Sequence, residues 1–259
     1  QIVVHRGAIV TNGDVNWSSG VIVADLTLNA NPFDYLGNDG VVSGQLWMEF
    51  SMAIDASKTR LVLAVVRRQD ASATLGNNYS TLQVIEKANL YDSSWSAGQS
   101  PLDLNPAGDK TIIIDSNDAI THDVDIAFDS AGGITVAYGY YDAINARNAI
   151  HVRRAESSYY DTIPYIITSA GFDLYGIVLR YNTAQSRMML FYVKGGATNT
   201  FRFVQWTNGA VNPSPDDGAT TIIDNAVNPF TLLSGNHKFA NIPAICIDDS
   251  GDVHLLCRK

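Results

Sequence analysis

The chain has 259 residues, of which 46% are hydrophobic and 17% charged, with a net charge of −9 at pH 7. This composition supports a large core and excludes a disordered chain. The acidic balance disfavours nucleic-acid and anionic-membrane binding, and no apolar run approaches the roughly 20 residues of a membrane span.

Strand signals dominate from the first residues onward, and no stretch carries the apolar stripe and caps of a helix. Residues 1–8 match the pattern of residues 149–155, and residues 20–25 match 221–224. The first reads as the third strand of a sheet unit and the second as the fourth. Asn29-Ala30-Asn31-Pro32-Phe33 resembles Asn225-Ala226-Val227-Asn228-Pro229-Phe230. Asn-Pro turns the chain and Phe anchors such a linker over a core.

The first complete unit reads as strands over 47–55, 60–67, 81–88 and 110–115. The second has strands over 123–129, 134–141, 149–155 and 162–168. The third runs over 174–181, 188–194, 200–207 and 220–224. The last segment holds two strands only, 242–247 and 253–258. In each unit an apolar run, a polar turn and a second apolar run open the sequence, as in Ile126-Ala127-Phe128-Asp129-Ser130-Ala131-Gly132-Gly133-Ile134. One hairpin recurring every several tens of residues marks a repeat protein.

The two cysteines, Cys246 and Cys257, flank the turn at 248–251. Pairing around that turn sets them several residues apart along the ladder, beyond disulfide reach. They read as small buried apolar residues, and no Cys-x-x-Cys spacing offers a metal site.

The hairpins resemble those of a β-propeller. Asp129-Ser130-Ala131-Gly132-Gly133 and Asp248-Asp249-Ser250-Gly251-Asp252 resemble the Asp-box turns of sialidase-like propellers in part, since Ile134 and Val253 stand where an aromatic follows in that box. The expected fold is therefore an all-β, single β-propeller domain over 1–259. It has four blades of four antiparallel strands, with full blades at about 46–115, 116–169 and 170–224. The fourth is a two-plus-two closure of 1–25 with 241–259, which removes open sheet edges. Sialidase chemistry itself is not expected. The resemblance would require an arginine cluster in the channel and six blades, whereas Arg153 and Arg154 fall on a third strand and Arg180 at the end of an inner one.

In a propeller, the loops joining second to third strands share a face with the linkers between blades. On that face fall Arg68, Asn78, Tyr79, Tyr141, Asp142, Arg147 and His237, whose amide, aromatic and cationic groups suit sugar hydroxyls and sugar faces. The leading expectation is a non-catalytic recognition or docking module for a glycan or protein. Such a module fits an adhesin or a viral tail or capsid component, placed extracellularly or on a virion surface.

The alternative is a glycoside hydrolase. Asp123 and Asp125 lie two apart on an inner strand, and Glu49 occupies the level of Asp123 in the preceding unit. Carboxyls from adjacent blades then meet at the channel mouth, as glycoside hydrolysis requires. A purely structural assembly domain is the third reading. No cofactor is expected; calcium at the 248–252 turn is the single metal considered, without the full loop pattern of a calcium-binding hand.

Overall fold

The structure, a computed structural model, describes residues 2–4, 7–9, 14–17, 21–24, 46–69, 79–87, 110–116, 120–156, 159–160, 165–169, 171–195, 200–207, 220–224 and 244–256. All elements among these residues are strands, and every ladder is antiparallel.

Two four-stranded meanders flank a five-stranded sheet. The first joins β5 (Leu46–Ile54), β6 (Leu61–Gln69), β7 (Tyr79–Lys87) and β8 (Lys110–Ser116). The five-stranded sheet joins β9 (Ile120–Phe128), β10 (Ile134–Asp142) and β11 (Arg147–Glu156), with β12 (Tyr159–Tyr160) and β13 (Tyr165–Ile167) both pairing with β11. The other meander joins β14 (Leu174–Asn182), β15 (Arg187–Lys194), β16 (Thr200–Thr207) and β17 (Thr220–Asp224). A last pair joins β18 (Ala244–Ile247) to β19 (Val253–Leu256). At the start of the chain, β1 (Ile2–Val4) pairs with β4 (Val21–Ala24), and β2 (Gly7–Ile9) with β3 (Val15–Trp17). Both ladders thus pair residues of the 2–9 stretch with residues of the 15–24 stretch.

The first hairpin of each unit turns on a side chain that substitutes for a ladder. Asp129 Oδ1 accepts the amides of Ala131 and Gly133, each at 2.8 Å. Asp248 Oδ1 accepts those of Ser250 at 3.0 Å and Asp252 at 2.9 Å. Gly132 and Gly251 take φ of 80° and 90°, the left-handed region that these turns demand. Asp55 uses a turn one residue longer and accepts from Thr59 and Arg60. Asn182 accepts from Gln185 instead.

Strand alternation then decides the packing. Ile126, Phe128, Val136 and Tyr138 turn to the first sheet and meet Val62, Ala64, Val66, Leu82 and Val84. Ala127, Ala137, Ile150 and Val152 turn to the third and meet Ile177, Leu179, Met188 and Leu190. Val178, Met189, Phe191 and Phe201 on the far face of the third sheet meet Ile245 of β18. A strand covered on both faces needs apolar residues at consecutive positions. That is why the second strands read as unbroken runs: Leu61–Val66 is buried throughout.

Polar links join neighbouring units at their turns. Arg60 Nη1 donates to Gly132 O at 3.0 Å, with its guanidinium 5.1 Å from the Phe128 ring centre and its other nitrogens on Glu86. Asn182 Nδ2 donates to Gly251 O at 2.9 Å. Gly132 and Gly251 hold equivalent places in their turns, so one device recurs between successive units.

The all-β expectation agrees with these sheets, and their serial stacking is consistent with a propeller. Several details differ. The fourth strand expected at 162–168 is split between β12 and β13, and Cys246 is exposed rather than buried. Cys246 pairs with His254 across the ladder. Pairing of β1 with β19, the proposed closure, is not among the described ladders; residues 5–6 and 257–259 fall outside the described residues.

Candidate functional site

The carboxylates singled out in the sequence lie on the inner strands. Strand β9 runs between β5 and β14, and its two aspartates are buried. Asp125 joins all three strands. Its Oδ1 accepts Ser51 Oγ from β5 and its own neighbour's amide, Ile126 N, at 2.9 Å. Its Oδ2 accepts Leu179 N at 2.7 Å and Arg180 Nη1 at 2.9 Å, both from β14. A carboxylate has about four lone-pair positions, and these four donors fill them. Asp125 is thus a clamp between units and has no oxygen left for a substrate.

Asp123 is held differently. Among the described residues, Gly176 N is the donor that reaches it, at 3.2 Å from Oδ2. Two bulges produce this meeting. On β9 the register passes from Tyr138↔Val124 to Tyr140↔Ile120, so Thr121, His122 and Asp123 oppose Gly139 alone. On β14 it passes from Tyr175↔Val193 to Val178↔Phe191, so Gly176 and Ile177 oppose Tyr192. Gly176 has φ of 70°, which opens the bulge without steric cost. Its amide turns toward β9, and Asp123 accepts it.

The bulge on β9 needs its own glycine. A Cβ at Gly139 would stand 2.0 Å from Thr121 Oγ1 and 3.6 Å from Asp123 Cβ. Bulges re-aim side chains and are enriched beside active sites. The β5–β6 ladder, by contrast, is regular from Leu46 to Ile54.

Glu49 lies on β5, half-buried, with its backbone opposite Val66. It stands six residues before Asp55, as Asp123 stands six before Asp129 and Gly176 six before Asn182. The Ser51–Asp125 bond joins positions four before their turns and so fixes this levelling between β5 and β9. Glu49 therefore shares the level of Asp123 and Gly176.

Tyr175 borders the same place. Its hydroxyl is buried and makes no hydrogen bond among the described residues. Burial, and then the charges of Asp173 and Asp123, push its pKa above the usual phenol range.

The Tyr141 to Arg147 loop stands at the same end of the sheet, since Tyr140 pairs with Ile120 at the start of β9. Tyr141 is exposed. Asp142 is turned onto its own loop, accepting Ile144 N, Asn145 N and Asn145 Nδ2. The Asn145 amide leads the lowering of its pKa, against the opposing effect of partial burial. Arg147 Nη1 is tied to Ser169 O at 2.6 Å.

Arg68 falls within β6 opposite Ser80, and Tyr79 opens β7 opposite Gln69. Asn78 and His237 lie outside the described residues. The ligand-contact set is thus gathered in part: Tyr141, Asp142 and Arg147 come together, while Arg68 and Tyr79 are on a different unit.

At the 248–252 turn, the oxygens of Asp248 are taken up by the Ser250 and Asp252 amides, Ser250 Oγ and His254 Nε2. No group of three or more metal-ligating side chains occurs among the described residues.

Sequence reasoning missed Ser51, Gly139, Gly176 and Tyr175. Glycines inside strands were the available signal for the bulges; nothing local to Ser51 or Tyr175 marks them.

No protein-family model matches the chain. No curated protein matches it either. Among solved structures the chain is similar to the endo-arabinase from Bacteroides thetaiotaomicron VPI-5482. The TM-score is 0.36 at 9% identity, covering 83% of this chain and 89% of that one. At that level the likeness carries no weight for residues or substrate. The non-catalytic recognition or docking module anticipated from the sequence is withdrawn on the site itself: Asp123 is buried and held by the Gly176 amide at the level of Glu49, and is not displayed on the loop face.

Proposed function

We propose that the protein is a four-bladed β-propeller that cleaves glycosidic bonds with Glu49 and Asp123. The observation that supports this reading is the setting of Asp123. It is a buried carboxylate set within a bulge in the first half of an inner strand, held among the described residues by one backbone amide and level with a second carboxylate on the adjacent strand. Glycoside hydrolysis uses two carboxyls about 5 to 9 Å apart. One protonates the leaving oxygen, and the other activates water or attacks the sugar.

Asp125 is a positioning residue in this scheme. Through Ser51, Leu179 and Arg180 it fixes β5 and β14 against β9, and with them the level at which the two carboxyls meet. Tyr141 offers an exposed aromatic face at the rim, suited to the apolar face of a sugar ring.

The test is release of reducing ends from a panel of plant, microbial and animal polysaccharides, arabinan among them. Wild type turns over at least one glycan, and Glu49→Gln lowers kcat at least ~100-fold. Wild-type protein inert on every glycan, or a Glu49→Gln variant of undiminished kcat, overturns the reading.

A further inference from the structure

The three described interfaces between units obey one rule of alternation. Residues three and one positions before the turn residue face the preceding unit. They are Ile126 and Phe128 before Asp129, Leu179 and Tyr181 before Asn182, and Ile245 and Ile247 before Asp248. Ile126, Phe128, Leu179 and Ile245 are 2%, 7%, 0% and 8% exposed. In the first unit the same positions are Met52 and Ile54, with Phe50 two residues further back. These three apolar side chains are 52%, 50% and 58% exposed. Yet Leu61, Leu63 and Val65, opposite Ile54, Met52 and Phe50 on β6, are buried on that same face. The opening is confined to the inner strand.

The complementary opening lies at the other end of the series. Strand β18 packs Ile245 and Ile247 on the third sheet, while Ala244 and Cys246, on its other face, are exposed. Cys246 holds the place that Ala53 holds in the first unit, two before the turn. Ala53 packs against the cluster containing Ile126 and Phe128.

We infer that Phe50, Met52 and Ile54 are the seat of this chain's own β18–β19 pair, with Cys246 set between Met52 and Ile54. The occupant follows from continuity with the three interfaces already formed: the same face, the same positions and the same apolar chemistry. The β1–β4 hairpin then completes the outer half of that unit. Its ladder passes from Ile2↔Ala24 to Val3↔Ile22, skipping one residue of the fourth strand, as the β16–β17 ladder does between Phe201↔Ile223 and Arg202↔Thr221. This inference rests on the four-bladed part of the proposed reading and not on the assignment of Glu49 and Asp123 to catalysis, since it concerns the opposite face of β5 from that which meets β9.

The reactivity of Cys246 tests it in the unaltered protein. Dilute native protein is pulsed with a charged thiol reagent, and labelling at Cys246 is read by peptide mass spectrometry, with urea-unfolded protein as the reference. A seated β18 slows labelling by roughly 100-fold, and Met52→Asp restores the rate. Labelling of the native protein as fast as the unfolded chain overturns the inference. A second measurement bridges Met52→Cys to Cys246 with a short bismaleimide. A link within one chain supports the seat. A link between two chains assigns the face to a second copy and overturns it.

Discussion

Asp123 Oδ2 on β9 and Gly176 N on β14 stand 3.2 Å apart, at the level where both strands bulge against their neighbours. One irregularity frees a carboxylate and the other supplies the amide that holds it. The site is thus built from departures in two regular ladders.

Removing the clamp beside it is costly to folding. Asp125→Ala leaves Leu179 N, Ser51 Oγ and Arg180 without their acceptor in the interior. The expected loss is about 2–4 kcal/mol, held down by the partial exposure of Arg180, which lets water screen its charge. Urea unfolding measures it.

Gly139 is fixed by the Asp123 bulge. Gly139→Ala drives a Cβ into Thr121, so either β9 shifts or the protein loses about 1–3 kcal/mol. Thr121→Ser in the same chain does not rescue it, because the colliding oxygen remains. Thr121→Ala removes that oxygen and recovers most of the loss. Thermal unfolding of the three variants reads the order.

The link between the third unit and the last pair rests on Asn182, which is buried. Asn182→Ala removes the bond to Gly251 O and leaves that carbonyl and the Gln185 amide short of a partner. The expected cost is about 1–3 kcal/mol. Hydrogen exchange should rise first in β18 and β19, before the first two sheets respond.

Asp248 makes the last hairpin acid-sensitive. The His254 ring, followed by the Ser250 hydroxyl and the Asp252 amide, holds its carboxyl well below the usual carboxylate range. A depressed folded pKa means that its contribution is complete above the unfolded value of about 4 and fades as pH falls through the folded value. A carbon-13 titration of the Asp248 carboxyl in native protein should show a midpoint below that of a free aspartate. His254→Ala should move it upward.

Much of the architecture was legible because two signals agree along this chain. Runs such as Leu61–Val66 mark strands covered on both faces, and the Asp129 and Asp248 turns mark where they reverse. The outer strands were harder: Tyr159–Tyr160 and Tyr165–Ile167 are two short pieces on β11 where one strand was expected. Cys246 shows the limit of a local reading. Its place on a strand was read correctly, but its exposure depends on which sheet lies across from it. Asp125 shows the same limit, since its partners Ser51, Leu179 and Arg180 come from strands more than 50 residues away in sequence. Asp142 was grouped with ligand contacts, yet its oxygens are spent within its own loop.

The most direct measurement is hydrolysis by Asp123→Asn on whichever glycan the wild type cleaves, with unfolding measured on the same samples. Asparagine keeps the shape and still accepts from Gly176 N, so stability should change by less than about 1 kcal/mol while kcat falls at least ~100-fold. A variant that folds as wild type does and turns over at the wild-type rate would contradict the assignment of Asp123 to catalysis.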